Sequence, residues 1–227
     1  MNLKAVFFDL HGTLVHLRDP LTTEEISEFF LKNGYEIYPQ TWNAASHFVG
    51  MVDYPRRRYN NRKTSIIQVL RRLNIRIDNK TVQQLASLYD RHDTYALFSD
   101  AHVAVNKAKQ LGMKTAIVTT IAEWVFCSAI ERIKGCFDVI MTGYKAGSEK
   151  SNPLMYKETL KELSVIAEEV VMIGDELLVD IKIPKKLGMH TILLDRSGAI
   201  KEKPDEADHK VTTLEEAMII IEKWRET

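Results

Sequence analysis

Leu3-Lys4-Ala5-Val6-Phe7-Phe8-Asp9, running on into Leu10-His11-Gly12-Thr13, is a short and nearly unbroken apolar run that ends in an acid. Such a run implies a strand buried on both faces, as in a parallel sheet. Its end breaks into His11-Gly12-Thr13, a turn with little steric bulk. The same shape recurs beyond residue 100, at 114–120, 137–141, 169–175 and 190–195, in runs rich in β-branched residues. Between these runs, 101–111, 121–133, 153–164 and 177–187 carry helical spacing. Asn152-Pro153 suits a helix start, with Asn as the cap and Pro in the first turn. Gly112 and Gly188 stand where two helices should stop, and Thr213-Leu214-Glu215-Glu216 has capping-box spacing for a final helix. Alternating strands and helices imply parallel strands with right-handed crossovers, an open, doubly wound α/β sheet with helices on both faces.

Residues 14–99 break that rhythm. They read as helices at 22–33, 41–52, 62–73 and 80–96, with capping boxes at Thr22–Glu25 and Thr81–Gln84 and no strand. The block is expected to be an all-helical subdomain inserted between the first and second strands. Ligands of open α/β sheets bind beyond the carboxyl ends of the strands. An insert leaving from that edge is placed to cover a site.

The chain has 227 residues, 45% hydrophobic and 27% charged, which suits one core domain carrying a substantial insertion. Its 31 basic and 31 acidic residues cancel, which argues against a general nucleic-acid binder but not against a small anionic substrate. Cys127 and Cys136 form no CxxC pair and are expected to be reduced thiols, consistent with the cytoplasm. MNLKAVFFDL lacks the pattern of a cleaved leader, so an unprocessed chain is expected. No apolar run approaches the roughly 20 residues that span a bilayer.

The polar residues at the strand ends form a chemically coherent set. Asp9 ends the first strand, Thr119 and Thr120 the second, and Asp175 the fourth, while Lys150 precedes the helix after the third. An aspartate can attack phosphorus or carbon and form a covalent intermediate that water then cleaves. Hydroxyls and an ammonium can hold the anionic oxygens of the reacting group. Two carboxylates near one point suit Mg²⁺, which binds through a few oxygens and keeps several waters.

These residues resemble the motifs of the haloacid dehalogenase-like hydrolase superfamily. Phe8 to Thr13 is similar to its first motif, an aspartate after a hydrophobic strand followed by Gly-Thr. Ile117 to Thr120 resembles the second, Lys150 before Ser-Asn-Pro the third, and Gly174-Asp175 with Asp180 the fourth. The four occur in order along the whole chain. The resemblance implies a Rossmann-like core over 1–13 and 100–227 and a helical cap over 14–99. It further implies that Asp9 is nucleophile and metal ligand, joined on Mg²⁺ by the main-chain carbonyl of His11 and by Asp175, with Asp180 in support. Thr119 and Lys150 would bind the transferring group, Lys150 also steadying Asp9. Gly12, Thr13, Thr120 and Arg56 complete the candidate substrate contacts. The expected partner is a small phosphorylated metabolite, with no nucleic acid or membrane, for a monomer or homodimer.

Position 11 departs from the family's phosphatases, which carry an aspartate there as general acid. His11 could take that role, since an imidazole titrates near pH ~6.5. Alternatively the leaving group needs no acid, as in 2-haloacid dehalogenases, or the chain is a catalytically weak or regulatory relative. Dehalogenation does not need Mg²⁺, whereas Asp175 and Asp180 retain the metal-binding acids, which favours phosphoryl hydrolysis.

Other residues read more plainly. The basic cluster Arg56-Arg57-Arg58 with Arg62 and Lys63, interleaved with Tyr54, Tyr59, Asn60 and Asn61, is expected to be a solvated surface rather than an anion-binding one. Trp42, Phe48 and Tyr38 are expected in the insert's own core. His16, His47, His92, His102, His190 and His209 have no metal-ligand spacing.

Overall fold

A computed structural model describes residues 1–57 and 59–226. In chain order the elements are β1 (Ala5–Phe8), β2 (Val15–Leu17), α1 (Thr23–Lys32), α2 (Pro39–Phe48), α3 (Tyr54–Arg57), α4 (Arg62–Arg72), α5 (Asn79–His92), β3 (Tyr95–Leu97) and α6 (Ala101–Gln110). They continue as β4 (Lys114–Thr119), α7 (Glu123–Ile130), β5 (Val139–Thr142), α8 (Gly143–Ala146) and α9 (Leu154–Leu163). The chain closes with β6 (Val170–Gly174), α10 (Ile183–Lys186), β7 (His190–Leu194), β8 (His209–Val211) and α11 (Leu214–Glu226).

Six strands form one parallel sheet in the order β5-β4-β1-β6-β7-β8. β1 is central and buried on both faces, as its composition implies. Its period-two alternation divides two cores. Val6 and Phe8 join Ile117, Ile173 and the helix residues Ala104, Val105 and Ala217, while Ala5 and Phe7 join Ala116, Met172, Met155 and Tyr156. Phe8 pairs with Ile117 on one side and Ile173 on the other, so the three carboxyl ends lie level. The chain from β1 leads to β4 and on outward to β5, then crosses to β6, β7 and β8 on the opposite side. The crevice between β1 and β6 is therefore a topological switch point, where open sheets bind ligands.

The insert gathers a separate apolar cluster from Ile26, Phe30, Trp42, Ile66, Val69 and Leu85, which also touches Ala122, Trp124 and Val125 of the sheet domain. It is not wholly helical. β2 and β3, at its two ends, pair antiparallel as a three-residue ribbon, Val15 with Leu97 and Leu17 with Tyr95. The expectation of no strand in 14–99 is corrected here: three residues are too few for periodicity to register. The helix expected over 80–96 accordingly stops at His92.

Local capping explains most boundaries. Thr22 and Glu25 form the expected capping box. The box expected at Thr81–Gln84 is replaced by Asp78, whose carboxylate accepts from the Thr81 amide at 2.9 Å and the Thr81 hydroxyl at 2.6 Å. Asp78 lies one turn earlier and is the stronger cap. Thr213 caps α11 through the Glu216 amide, while the Glu216 carboxylate reaches back to the Thr212 amide, one residue before the expected partner. Gly112 and Gly188 end α6 and α10 with φ of +70° and +96°.

Two expected helices are interrupted by wide π turns, Val49–Asp53 within the helix expected over 41–52 and Leu177–Lys182 within that expected over 177–187. Both carry residues that face the site, a frequent use of π turns. Trp42 is buried as expected, but Tyr38 stays exposed at the start of α2. Phe48 is half-buried and covered by the Arg72 guanidinium, 3.4 Å from the ring centroid. The two cysteines are free thiols. Among the described residues, no helix is long and apolar enough to cross a membrane.

Candidate active site

Asp9 stands one residue past β1, its amide donating to the Ile173 carbonyl of β6 at 2.9 Å. That bond holds its carboxylate at the crevice between the two strands. Asp175 follows β6 directly, and Asp180 returns from the π turn, its Oδ2 accepting from the Glu176 amide at 3.1 Å. Asp9, Asp175 and Asp180 each offer one carboxylate oxygen within 4.8 Å of the others.

Backbone spacing makes this crowding possible. A Cβ on Gly12 would stand 2.3 Å from Asp175 Oδ2, and Gly12 has φ +81°. A Cβ on Gly174 would stand 2.3 Å from the Asp180 carboxyl carbon. Both glycines are required because carboxylates occupy the space that a side chain would need.

Lys150 enters from the loop before α9. It is 5% exposed, with Nζ 2.5 Å from Asp9 Oδ1 and 2.5 Å from Asp180 Oδ1. Burial alone would lower the ammonium, but the charges of Asp180 and Asp9 outweigh it and hold Lys150 well above its ordinary value. One lysine does not balance three acids. Burial and the Asp9 charge push Asp175 up to about 6. Burial also pushes Asp180 upward; Lys150 pulls it back and Asp9 adds to the rise. An all-oxygen set with surplus negative charge fits a hard divalent cation.

A cavity of about 310 Å³ opens above these groups. Asp9, His11, Thr119, Thr120, Lys150 and Ser151 of the sheet domain line it, and His47, Met51 and Val52 of the insert face them. The Thr119 hydroxyl accepts from the Ile121 amide at 3.2 Å, and the Thr120 hydroxyl from the Lys150 amide at 3.4 Å. His11 is exposed and stands edge-on to Tyr95, with ring centroids 5.8 Å apart.

The remaining expected residues lie beside the cavity rather than on it. Gly12 packs under Asp175, and the buried Thr13 hydroxyl reaches Asp175 Oδ1 at 3.4 Å. Arg56 is half-exposed and lies 3.6 Å from Glu149, itself a cavity residue. Arg58 lies outside the described residues. The solvated reading of the basic cluster fails at Arg62, Tyr54 and Tyr59. Both tyrosines are buried, and Arg62 turns inward to Asp93 at 3.2 Å.

Sequence reasoning missed Arg196 and Asp100. Arg196 follows β7 and donates to the Gly12 carbonyl at 3.1 Å and the Thr13 carbonyl at 2.7 Å. Asp100 in turn binds Arg196 and the Leu214 amide at the start of α11. The Asp195-Arg196 step at a further strand end was the one available signal. Tyr156, fully buried beside Lys150, donates to the Val179 carbonyl of the π turn that carries Asp180.

A family model described as haloacid dehalogenase-like hydrolase matches residues 3–188. A glyceraldehyde 3-phosphate phosphatase of Pyrococcus furiosus is 26% identical over 97% of this chain and 94% of its own length. Among solved structures, a HAD phosphatase from Thermococcus onnurineus superposes with TM-score 0.61 at 21% identity, over 96% of this chain and 98% of the other. A 2-haloacid dehalogenase from Pseudomonas syringae superposes with TM-score 0.67 at 18% identity, over 98% and 99%. These two likenesses show the fold, which phosphatases and dehalogenases share. With the family match extending from the first strand past the fourth motif, the chain belongs to the haloacid dehalogenase-like hydrolases.

Proposed function

We propose that this protein is a Mg²⁺-dependent phosphatase of small phosphorylated metabolites that works through an aspartyl-phosphate on Asp9. The observation that carries the reading is the Lys150–Asp9 contact of 2.5 Å within a cluster of three carboxylates, at the floor of a cavity between sheet and insert. The similarity to a glyceraldehyde 3-phosphate phosphatase along nearly the whole chain supports the phosphoryl class.

Lys150 engages Asp9 Oδ1, so attack on phosphorus falls to Oδ2. The P–O bond to the alcohol then breaks, and His11 in its protonated form gives the departing oxygen its proton. Water next attacks the phosphorus of the acyl phosphate and gives a proton back to His11, while inorganic phosphate leaves and the Asp9 carboxylate is restored. Thr119, Thr120 and Lys150 hold the phosphoryl oxygens, with Gly12 and Thr13 shaping the loop beneath. Asp9, Asp175, Asp180 and the His11 carbonyl would hold Mg²⁺, which neutralises phosphoryl charge as a Lewis acid. Residues 14–99 act as a cap, since His47, Met51 and Val52 close the cavity from the far side and limit water.

The test is hydrolysis of a chromogenic phosphate monoester with and without Mg²⁺, comparing the parent with Asp9→Asn. Magnesium-dependent turnover that vanishes in the variant is expected. Halide release from 2-haloacids that persists in EDTA would overturn the reading in favour of dehalogenation. His11→Asp should retain or raise turnover, and His11→Ala should lower it by about 10²–10⁴-fold.

A further inference from the structure

A second cavity of about 280 Å³ lies between the insert and the sheet domain, and the chemistry above does not use it. It adjoins the Asp9 cavity, because Met51 and Ile121 line both. Its walls are aromatic, from Trp42, Tyr54, Tyr59, Tyr89, Tyr95 and Trp124. The Trp124 indole donates to the Tyr59 carbonyl at 2.9 Å and the Trp42 indole to the Tyr89 hydroxyl at 2.8 Å. Those bonds fix two of the walls and occupy both indole N–H groups.

Among the described residues, five buried side-chain polar atoms lack a hydrogen-bond partner. Glu149 Oε2 and Asp180 Oδ1 belong to the reaction centre, and the latter is ion-paired with Lys150 at 2.5 Å. Arg62 Nε faces the Asp90 carboxylate at 3.7 Å, and the remaining two, Ser46 Oγ and Tyr59 OH, belong to residues that line this second cavity. A buried polar group without a partner bears its desolvation cost uncompensated. Two such hydroxyls around one space fit a ligand that supplies their missing partners. Both hydroxyls can donate, so a ligand with acceptor atoms satisfies them.

Charge narrows the class. The Arg62 guanidinium is matched by Asp93 at 3.2 Å and Asp90 at 3.7 Å, so the cavity carries no surplus positive charge for a second anion. Flat aromatic walls favour the faces of a ring.

We infer that this cavity is the subsite for the leaving group. On this assignment, which rests on the phosphatase reading, the substrate is a phosphate monoester whose alcohol carries an uncharged ring bearing acceptor atoms. The phosphoryl group sits at Asp9, and the ring passes Met51 and Ile121 to meet Ser46 and Tyr59.

The experiment compares kcat/KM for uridine 5′-monophosphate, glucose 6-phosphate and glyceraldehyde 3-phosphate, in the parent and in the Ser46→Ala/Tyr59→Phe double variant. The parent should favour at least one ring-bearing ester over the triose ester by about tenfold or more, the better ring distinguishing heteroaromatic from carbohydrate occupants. In the double variant that preference should fall by about tenfold, mainly through KM. Its Tm should not fall, because the variant removes unpartnered hydroxyls. A parent that prefers the triose ester, or a double variant with the parent's preference, would overturn the subsite.

If the parent hydrolyses none of the esters, the phosphatase reading fails and binding decides the subsite separately. Trp42 and Trp124 line the cavity, whereas Trp224 packs against His190 and His209. Uridine and glucose, titrated without phosphate, should then give a saturable fluorescence change with at least one of them, weakened in the double variant. No saturable change with either would mean a water-filled cavity only.

Discussion

Arg196 and Asp100 form a two-pronged ion pair, Nη1 to Oδ2 at 3.0 Å and Nη2 to Oδ1 at 2.9 Å. The same guanidinium lies 3.8 Å over the Phe98 ring and holds the carbonyls of Gly12 and Thr13, so one side chain ties the loop after Asp9 to α6 and α11. A planar fork is needed for this geometry, and a lysine cannot reproduce it. Arg196→Ala leaves Asp100 buried without its partner and should cost about 3–5 kcal/mol of stability. Arg196→Lys should recover part of the stability and less of the turnover. Urea unfolding and kcat measured on both variants check this.

Gly12→Ala should remove activity more completely than it removes stability. The added methyl would meet the Asp175 carboxylate at 2.3 Å in a backbone with φ +81°. Displacing a carboxylate by about an ångström is enough to cost about 10²-fold in rate. Gly34→Ala is the control, because Gly34 has φ +83° and nothing within 4 Å of a Cβ. It should cost about 1 kcal/mol in stability and little in kcat.

Magnesium should stabilise the folded protein, since the acids crowd one another without a cation. At a hundredfold excess over Kd the gain is about 2.7 kcal/mol. A scan of Tm against MgCl₂ should rise in the parent and flatten in Asp175→Asn. A parent Tm indifferent to Mg²⁺ would remove the metal from the proposed mechanism.

Acid should weaken the Asp78 cap of α5. Hydrogen bonds from the Thr81 hydroxyl and amide lower the Asp78 carboxyl from 3.8 to about 2. A depressed carboxyl contributes stability that is present above its unfolded value and is lost as pH falls through the folded one. The advantage of the parent over Asp78→Asn should therefore hold above pH 3.8 and close as pH falls towards about 2. Urea midpoints of the two proteins across that range read the difference.

The sequence alone determined a parallel sheet, five of its six strands in their order along the chain, and the positions of Asp9, Thr119, Lys150 and Asp175 at or beside strand ends. Those features are carried by apolar runs, capping residues and Gly or Pro stops, all of which act within a few residues of one another. Short-range signals also mislead at short range. Periodicity missed the three-residue strands β2, β3 and β8, placed a cap at Thr81 in place of Asp78, and did not register the π turns. Only the tertiary structure decided that Arg62 and Tyr59 turn inward and that Arg196 reaches Asp100, 96 residues away in the chain. Nothing local distinguishes a solvated arginine from a buried one. The difference arises when the insert's own helices bring Asp93 to Arg62 and when sheet and insert close on each other to supply Trp124 and Phe98 as partners, and that closure is set by long-range burial.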